Sequence, residues 1–139
     1  MVLIGGTQIS GTYWGAGVLN PYGTFLHAKP VANIGGSVLV FEGDIDLRAA
    51  SAIAHMSKAW NLYFAKNQEG AIQEALKAGD LAPDHPGPPY IVGVILAHGR
   101  RTEAARLQFE ASLKLAEAAG PEFEPMWEKA ARDQLALLP

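Results

Sequence analysis

Three stretches of this sequence hold residue types whose spacing could do chemistry. Gly6-Thr7-Gln8-Ile9-Ser10-Gly11-Thr12-Tyr13 has the glycine spacing of a phosphate-binding loop, GxxxxGK[ST]. In such a loop the lysine neutralises the phosphates, a hydroxyl holds the magnesium ion, and the helix that follows points its free amides at the anion. Here Thr12 stands in the lysine position and Tyr13 in the hydroxyl position, and Gly15 and Gly17 oppose a helix. Gly15-Ala16-Gly17-Val18-Leu19-Asn20 departs from the dinucleotide fingerprint in the same way. The leading expectation for this stretch is a turn-rich docking loop whose aromatics, Tyr13, Trp14, Tyr22 and Phe25, pack on a neighbour. A ligand or nucleotide site in residues 5–17 is the alternative.

Asp44-Ile45-Asp46 aims two carboxylates the same way from a strand end, with Glu42 extending the alternation, and such a pair could hold a divalent cation. The competing reading is a helix cap, in which one carboxylate satisfies free amides and suits the helix dipole. The four histidines, His27, His55, His85 and His98, include no close metal-ligand pair. Ser51 and His55 lie four apart on one helical face, as a nucleophile and its base would, but no acid sits at a matching position. His55 is expected to be a half-buried packing residue. The expectation is no catalytic residue, no metal site and no cofactor. A different chemistry, recognition, is open to Met56, Trp60, Tyr63 and Phe64, which follow helical spacing. Core packing accounts for such a stripe. An exposed stripe of the same kind would supply aromatic anchors for a peptide, and Met56, Trp60 and Tyr63 are the candidates.

The elements that must position these residues differ between the two halves. From Met1 to Phe41 the only Asp, Glu, Lys or Arg is Lys29; beyond Asp46 the chain is an ordinary mixture of Glu, Lys and Arg. Val2–Ile4 and the β-branched run Ser37–Phe41 read as strands, the second buried on both faces. Pro21, Pro30 and the glycines forbid long helices between Gly11 and Gly36. Helices are expected near Leu47–Lys66, Gln68–Leu81, Pro88–His98, Thr102–Ala119 and Pro125–Leu137, punctuated by Pro83, Pro86, Pro88, Pro89, Gly120 and Pro121. In the last of these, Trp127, Ala131, Leu135 and Leu138 form an apolar stripe.

The totals set the outer limits. A length of 139 residues suits one domain with a real core, and 49% apolar residues suit a globular chain. With a net charge of −3, nothing suggests broad nucleic-acid affinity, and no nucleic-acid partner is expected. The absence of cysteine excludes disulfides, thiolate metal sites and a cysteine nucleophile. No apolar run reaches the roughly 18 residues of a membrane span, and the start is not a signal peptide.

The helical half contains an internal repeat: "AIAHMSKAWNLYFAKNQEGAIQEALKAGDLAP" aligns with "PPYIVGVILAHGRRTEAARLQFEASLKLA". Leu62, Ala71, Ala75, Ala78 and Pro83 in the first unit resemble the tetratricopeptide pattern, where small residues let paired helices approach and the proline stops the second. The second unit is matched by Gly99, Ala104 or Ala105, Phe109, and Ala111 or Ser112, with one extra residue. The resemblance covers about residues 52–116 and departs from the pattern at His55, where a large apolar residue is usual. It implies that the first helix of each unit lines a concave, peptide-binding face. About three units are needed for a continuous core, so the last helix would close one end and the strand region the other.

A second resemblance lies in "LNPYGTFLHAKPVANIGGSVLVFEGDIDL". Asn20-Pro21-Tyr22, Phe25, Pro30, Ala32, Ile34-Gly35-Gly36-Ser37, Leu39-Val40-Phe41 and Gly43 resemble the soluble C-terminal part of bacterial lipid-carrier-dependent membrane glycosyltransferases related to the protein O-mannosyltransferases. That resemblance implies a periplasmic tail whose partner is the membrane part of the same polypeptide. Without it a cytoplasmic chain is expected.

Together these readings predict an α+β chain, predominantly helical. A strand-and-loop part (residues 1–47) would precede a right-handed tetratricopeptide-like array of about five helices (residues 48–139). The expected function is non-catalytic protein–protein interaction, with a protein or peptide partner. The alternatives are a ligand-binding protein or enzyme using residues 5–17 or Asp44/Asp46, and an autonomous homo-oligomer whose apolar first half is the subunit interface.

Overall fold

The computed structural model describes residues 1–6, 22–120 and 126–139. It is an α+β chain dominated by helix, with a small antiparallel sheet and five α-helices among the described residues. The chain divides into two compact units, Met1–Ala50 and Ser51–Pro139.

The first unit is built on strands β1 (Val2–Gly5), β2 (Ala32–Ile34) and β3 (Val38–Phe41), in spatial order β1-β3-β2. The apolar run expected as a buried strand is thus the central strand, paired on both edges. Its C-terminal half is buried at Val40 and Phe41, whereas Val38 and Leu39 are half-buried and Ser37 is exposed outside the strand. Strand β2 has no apolar signature of its own: all three residues are exposed. It is created by the turn behind it, where Gly35 and Gly36 take φ of +61° and +76° and Ser37 N donates to Ile34 O. Two adjacent positive φ values make the tight hairpin that few residues other than glycine can form. The core of this unit is Ile4, Phe25 and Phe41, the two rings 4.9 Å apart. Phe25 comes from a short 3-10 turn, Gly23–Leu26.

The helical elements are α1 (Arg48–Phe64), α2 (Gln68–Leu81), α3 (Gly87–His98), α4 (Thr102–Ala119) and α5 (Met126–Leu137). Their bounds follow the expected ones within a residue or two; Pro125, the expected start of the last helix, lies outside the described residues. The boundary between the units falls in the first turn of α1. Asn67 starts α2 by accepting from Gly70 N at 2.9 Å, the role a short polar side chain plays at a helix N-terminus. Small residues then set the packing. Ala59 on α1 and Ala71 and Ala75 on α2 have no exposed surface and meet Ile91, Val92 and Ile95 of α3. In the second hairpin the structure selects Ala105 and Ser112 as the inward small residues, while Ala104 and Ala111 face solvent. Ser112 Oγ donates to Pro86 O at 2.9 Å, so the hydroxyl is satisfied in the core.

Gly93, a helix-weakening residue in the sequence, has a packing reason. A Cβ at this position would stand 2.7 Å from the Phe109 ring, which is completely buried. The glycine lets α4 press an aromatic face onto the backbone of α3. Gly93→Ala should therefore destabilise the helical unit, because overpacking costs about 1–3 kcal/mol against roughly 1 kcal/mol regained in helix propensity. Urea denaturation checks this, and the smaller ring-free core of the Gly93→Ala/Phe109→Leu double variant should recover part of the loss.

Candidate functional site

The C-terminal turns of α1 carry an aromatic surface. Trp60 and Phe64, one helical turn apart, stack with centroids 6.1 Å apart and planes 24° apart. Tyr63 meets Trp60 edge-on at 5.9 Å and tilts against Phe64 at 5.4 Å. The Tyr63 ring also lies 5.5 Å from His98, at the end of α3, and its hydroxyl is hydrogen-bonded to His98 Nδ1. The three candidate anchors do not stand free. Met56, Trp60 and Tyr63 are half-buried and pack on the cluster formed by Ala59, Ala71, Ala75, Ile91, Val92 and Ile95. Met56 is directed towards the start of α3, where its Sδ would be 2.8 Å from a Cβ on Gly87. The residue most open to solvent is Phe64, at 74% exposure. Core packing and exposed aromatic surface thus coexist on one helix, with Phe64 at the outer end.

The acid missing beside His55 on its own helix comes from the next one. His55 Nδ1 is 2.6 Å from Glu74 Oε2, and Lys58 and Lys77 donate to Glu74 Oε1 at 3.2 and 3.0 Å. Glu74 is buried, at 5% exposure, between α1 and α2. Hydrogen bonds from His55, then Lys77 and Lys58, hold its carboxyl down at about 2 despite the burial. His55 is half-buried, as expected, and its acidic partner comes from the neighbouring helix, not from a matching position on its own. The sequence marks Glu74 as an interior position, since it falls in the helical stripe Ala71, Glu74, Ala75, Ala78, but does not name its partner. What the arrangement does chemically is fix the His55 ring and two lysines around one anion. Ser51 is no part of this network.

His85 is likewise buried. Its Nδ1 accepts from Gly87 N at 2.9 Å at the start of α3, and its ring is edge-on to Trp127 at 5.8 Å. Tyr90 packs against Trp127 at 5.4 Å and Phe109 at 5.7 Å, and burial raises its hydroxyl pKa. These contacts dock α5 onto the second hairpin through the apolar stripe that begins at Trp127.

A groove of about 400 Å³ runs between α2 and the end of α3, lined by Gln68, Glu69, Ile72, Gln73, Leu96 and Arg101. Sequence reasoning did not find it, because its lining comes from two helices and a turn that only the fold brings together.

In the first unit, Asp46 acts locally. Its Oδ1 accepts from Arg48 N at 3.0 Å, and its carboxylate pairs with the Arg48 guanidinium at 2.7 Å. That hydrogen bonding lowers the Asp46 pKa to about 2. Both aspartates are exposed, and no group of three metal-ligating side chains occurs among the described residues. The helix-start reading therefore accounts for Asp46. Of the expected docking aromatics, Phe25 is enclosed in the core at 2% exposure, so its ring holds the unit together instead of facing a partner. Tyr22 is half-buried beside it. Tyr13 and Trp14, with the glycine-rich stretch at 7–17, lie outside the described residues.

The Glu74 network gives a pH dependence. Its folded-state pKa of about 2 lies below the ordinary 4.5, so its contribution is present above 4.5 and is lost as pH falls from there towards 2. Urea midpoints measured from neutral pH down to about pH 3 should fall more steeply for the native chain than for Glu74→Gln, which has no such charge to lose.

Against known proteins the chain matches no family model, no curated protein and no solved structure.

Proposed function

We propose that this chain is a non-catalytic interaction module of the tetratricopeptide type, which docks a protein or peptide partner on the aromatic surface of α1. The observation that carries this reading is the stacked Trp60–Phe64 pair, whose outer ring is 74% exposed. Aromatic side chains supply large contact area at small entropic cost and dominate interfaces when a partner completes their burial. The half-buried Trp60 and Tyr63 pre-organise the surface, since their inner edges are held by the core. His98, bonded to Tyr63, fixes the ring's orientation and ties the two hairpins together at this surface.

The reading extends to the setting of the chain. A first half with one cation and no carboxylate before Glu42 suits a segment that covers, or is covered by, another apolar surface. We take the membrane part of a lipid-carrier-dependent glycosyltransferase as that surface, on the resemblance of residues 7–47.

Two experiments test these two levels. Peptides selected by phage display on the native chain should converge on a common apolar pattern. They should lose affinity at least roughly tenfold on Phe64→Ala, with folding stability unchanged. Trp60→Ala should lose binding as well and should also lower stability by about 1–3 kcal/mol, because its inner edge is core. Binders indifferent to Phe64 would refute the aromatic surface. For the setting, an antibody to this chain should detect, in the membrane fraction of source cells, a band far above 14.8 kDa. A soluble band at that mass would refute the glycosyltransferase tail.

A further inference from the structure

We infer that the groove between α2 and α3 is a second recognition site, for an extended peptide that carries an acidic and a basic residue. The inference goes beyond the aromatic surface and does not depend on it.

The groove's volume, about 400 Å³, lies in the range of ligand sites, roughly 300–1,000 Å³. Its lining has unused bonding capacity. Gln68, Gln73, Glu69 and Arg101 make no side-chain hydrogen bond or ion pair with any described residue. A purely apolar ligand would strip water from two carboxamides, a carboxylate and a guanidinium and return nothing to them. A phosphorylated ligand would bring its charge up to Glu69 with one arginine to balance it.

An extended peptide fits each feature. Its main chain alternates N–H donors with C=O acceptors, and each glutamine carboxamide offers both in return. Its side chains alternate between two faces, so every second one reaches the apolar Ile72 and Leu96 while the others are left to the exposed charged and polar side chains of the lining. Glu69 and Arg101 carry opposite charges, and neither is paired with another described residue. Together they favour a ligand with a cation and an anion over one with a single sign.

Gly99 supplies a clean block. Its φ is −77°, open to any residue, and a Cβ there would meet its nearest neighbours at 3.4 Å or more, with Gln68 Oε1 at 3.6 Å. A leucine at this position would start on the groove's own lining, beside Gln68, without straining the backbone.

The test is an NMR titration of the ¹⁵N-labelled chain with the acetylated, amidated peptide Asp-Leu-Ala-Leu-Lys. The control is the same peptide with lysine at both ends. Up to about 5 mM peptide, the mixed-charge peptide should saturably shift the Gly99 amide and the Gln68 and Gln73 side-chain amides. Gly99→Leu should abolish these shifts, Arg101→Glu should weaken binding roughly tenfold, and the all-lysine control should bind less well. Phe64→Ala should leave the titration unchanged. No saturable shift at these amides, equal binding by Gly99→Leu, or shifts confined to Trp60 and Phe64 would each overturn the inference. The last result would leave the aromatic surface standing as the single site.

Discussion

The helical unit rests on how closely its helices can approach. Ala59, Ala71 and Ala75 are fully enclosed, and none has more than a methyl group to place between helices. The space they leave is taken by Ile91, Val92 and Ile95 from α3. One layer further on, the same logic is carried to its limit, with Gly93 offering bare backbone to the Phe109 ring. Close-packed interiors tolerate neither gaps nor overlaps, so this alternation of minimal and large side chains fixes which helix faces which. The aromatic surface of α1 and the groove beside α2 exist because the hairpins are held at this spacing.

The exception to the apolar interior is Glu74. A buried carboxylate is costly unless its oxygens are matched by donors, and here three side chains supply them: His55, Lys58 and Lys77. Lys58 and His55 come from α1, so the network also specifies how α1 and α2 pair, a requirement that an apolar contact alone would not impose. His55 is therefore a member of a polar interhelical tie, not an imperfect substitute for an apolar packing residue.

Two surfaces of the helical unit differ in chemistry. The α1 surface is aromatic and closed by Tyr63 and His98, suited to burying rings. The groove is amphipathic, with polar groups of both charges over an aliphatic floor, suited to main chain. On the proposed function, two such surfaces would combine anchoring and readout, and occupancy would depend on matching both ring burial and charge order. The sheet unit has a different character: among its described rings Phe25 and Phe41 are turned inward, and its carboxylates begin only at Glu42.

Helix and strand positions were legible in the sequence because they depend on local rules. Prolines and glycines mark the ends of α2 and α3, and the alanine stripe of α2 announces its buried face. Strand β2 was not legible, since three exposed residues acquire strand geometry only from the Gly35-Gly36 turn and the partner edge of β3. The sequence could narrow the second hairpin to Ala104 or Ala105 and Ala111 or Ser112; burial of Ala105 and Ser112 required the actual rotation of α4. Phe25 read as a docking aromatic because its type is visible and its enclosure is not. The pairing of His55 with Glu74, nineteen residues away, and the groove shared by Gln68 and Arg101 likewise belong to the tertiary structure. Neighbours within a turn or two suffice to set helix ends and inward stripes, and the charge contrast between the halves is plain in the residue order. Only the packed fold decided which distant side chains meet, because that depends on helix spacing and rotation, which no local pattern encodes.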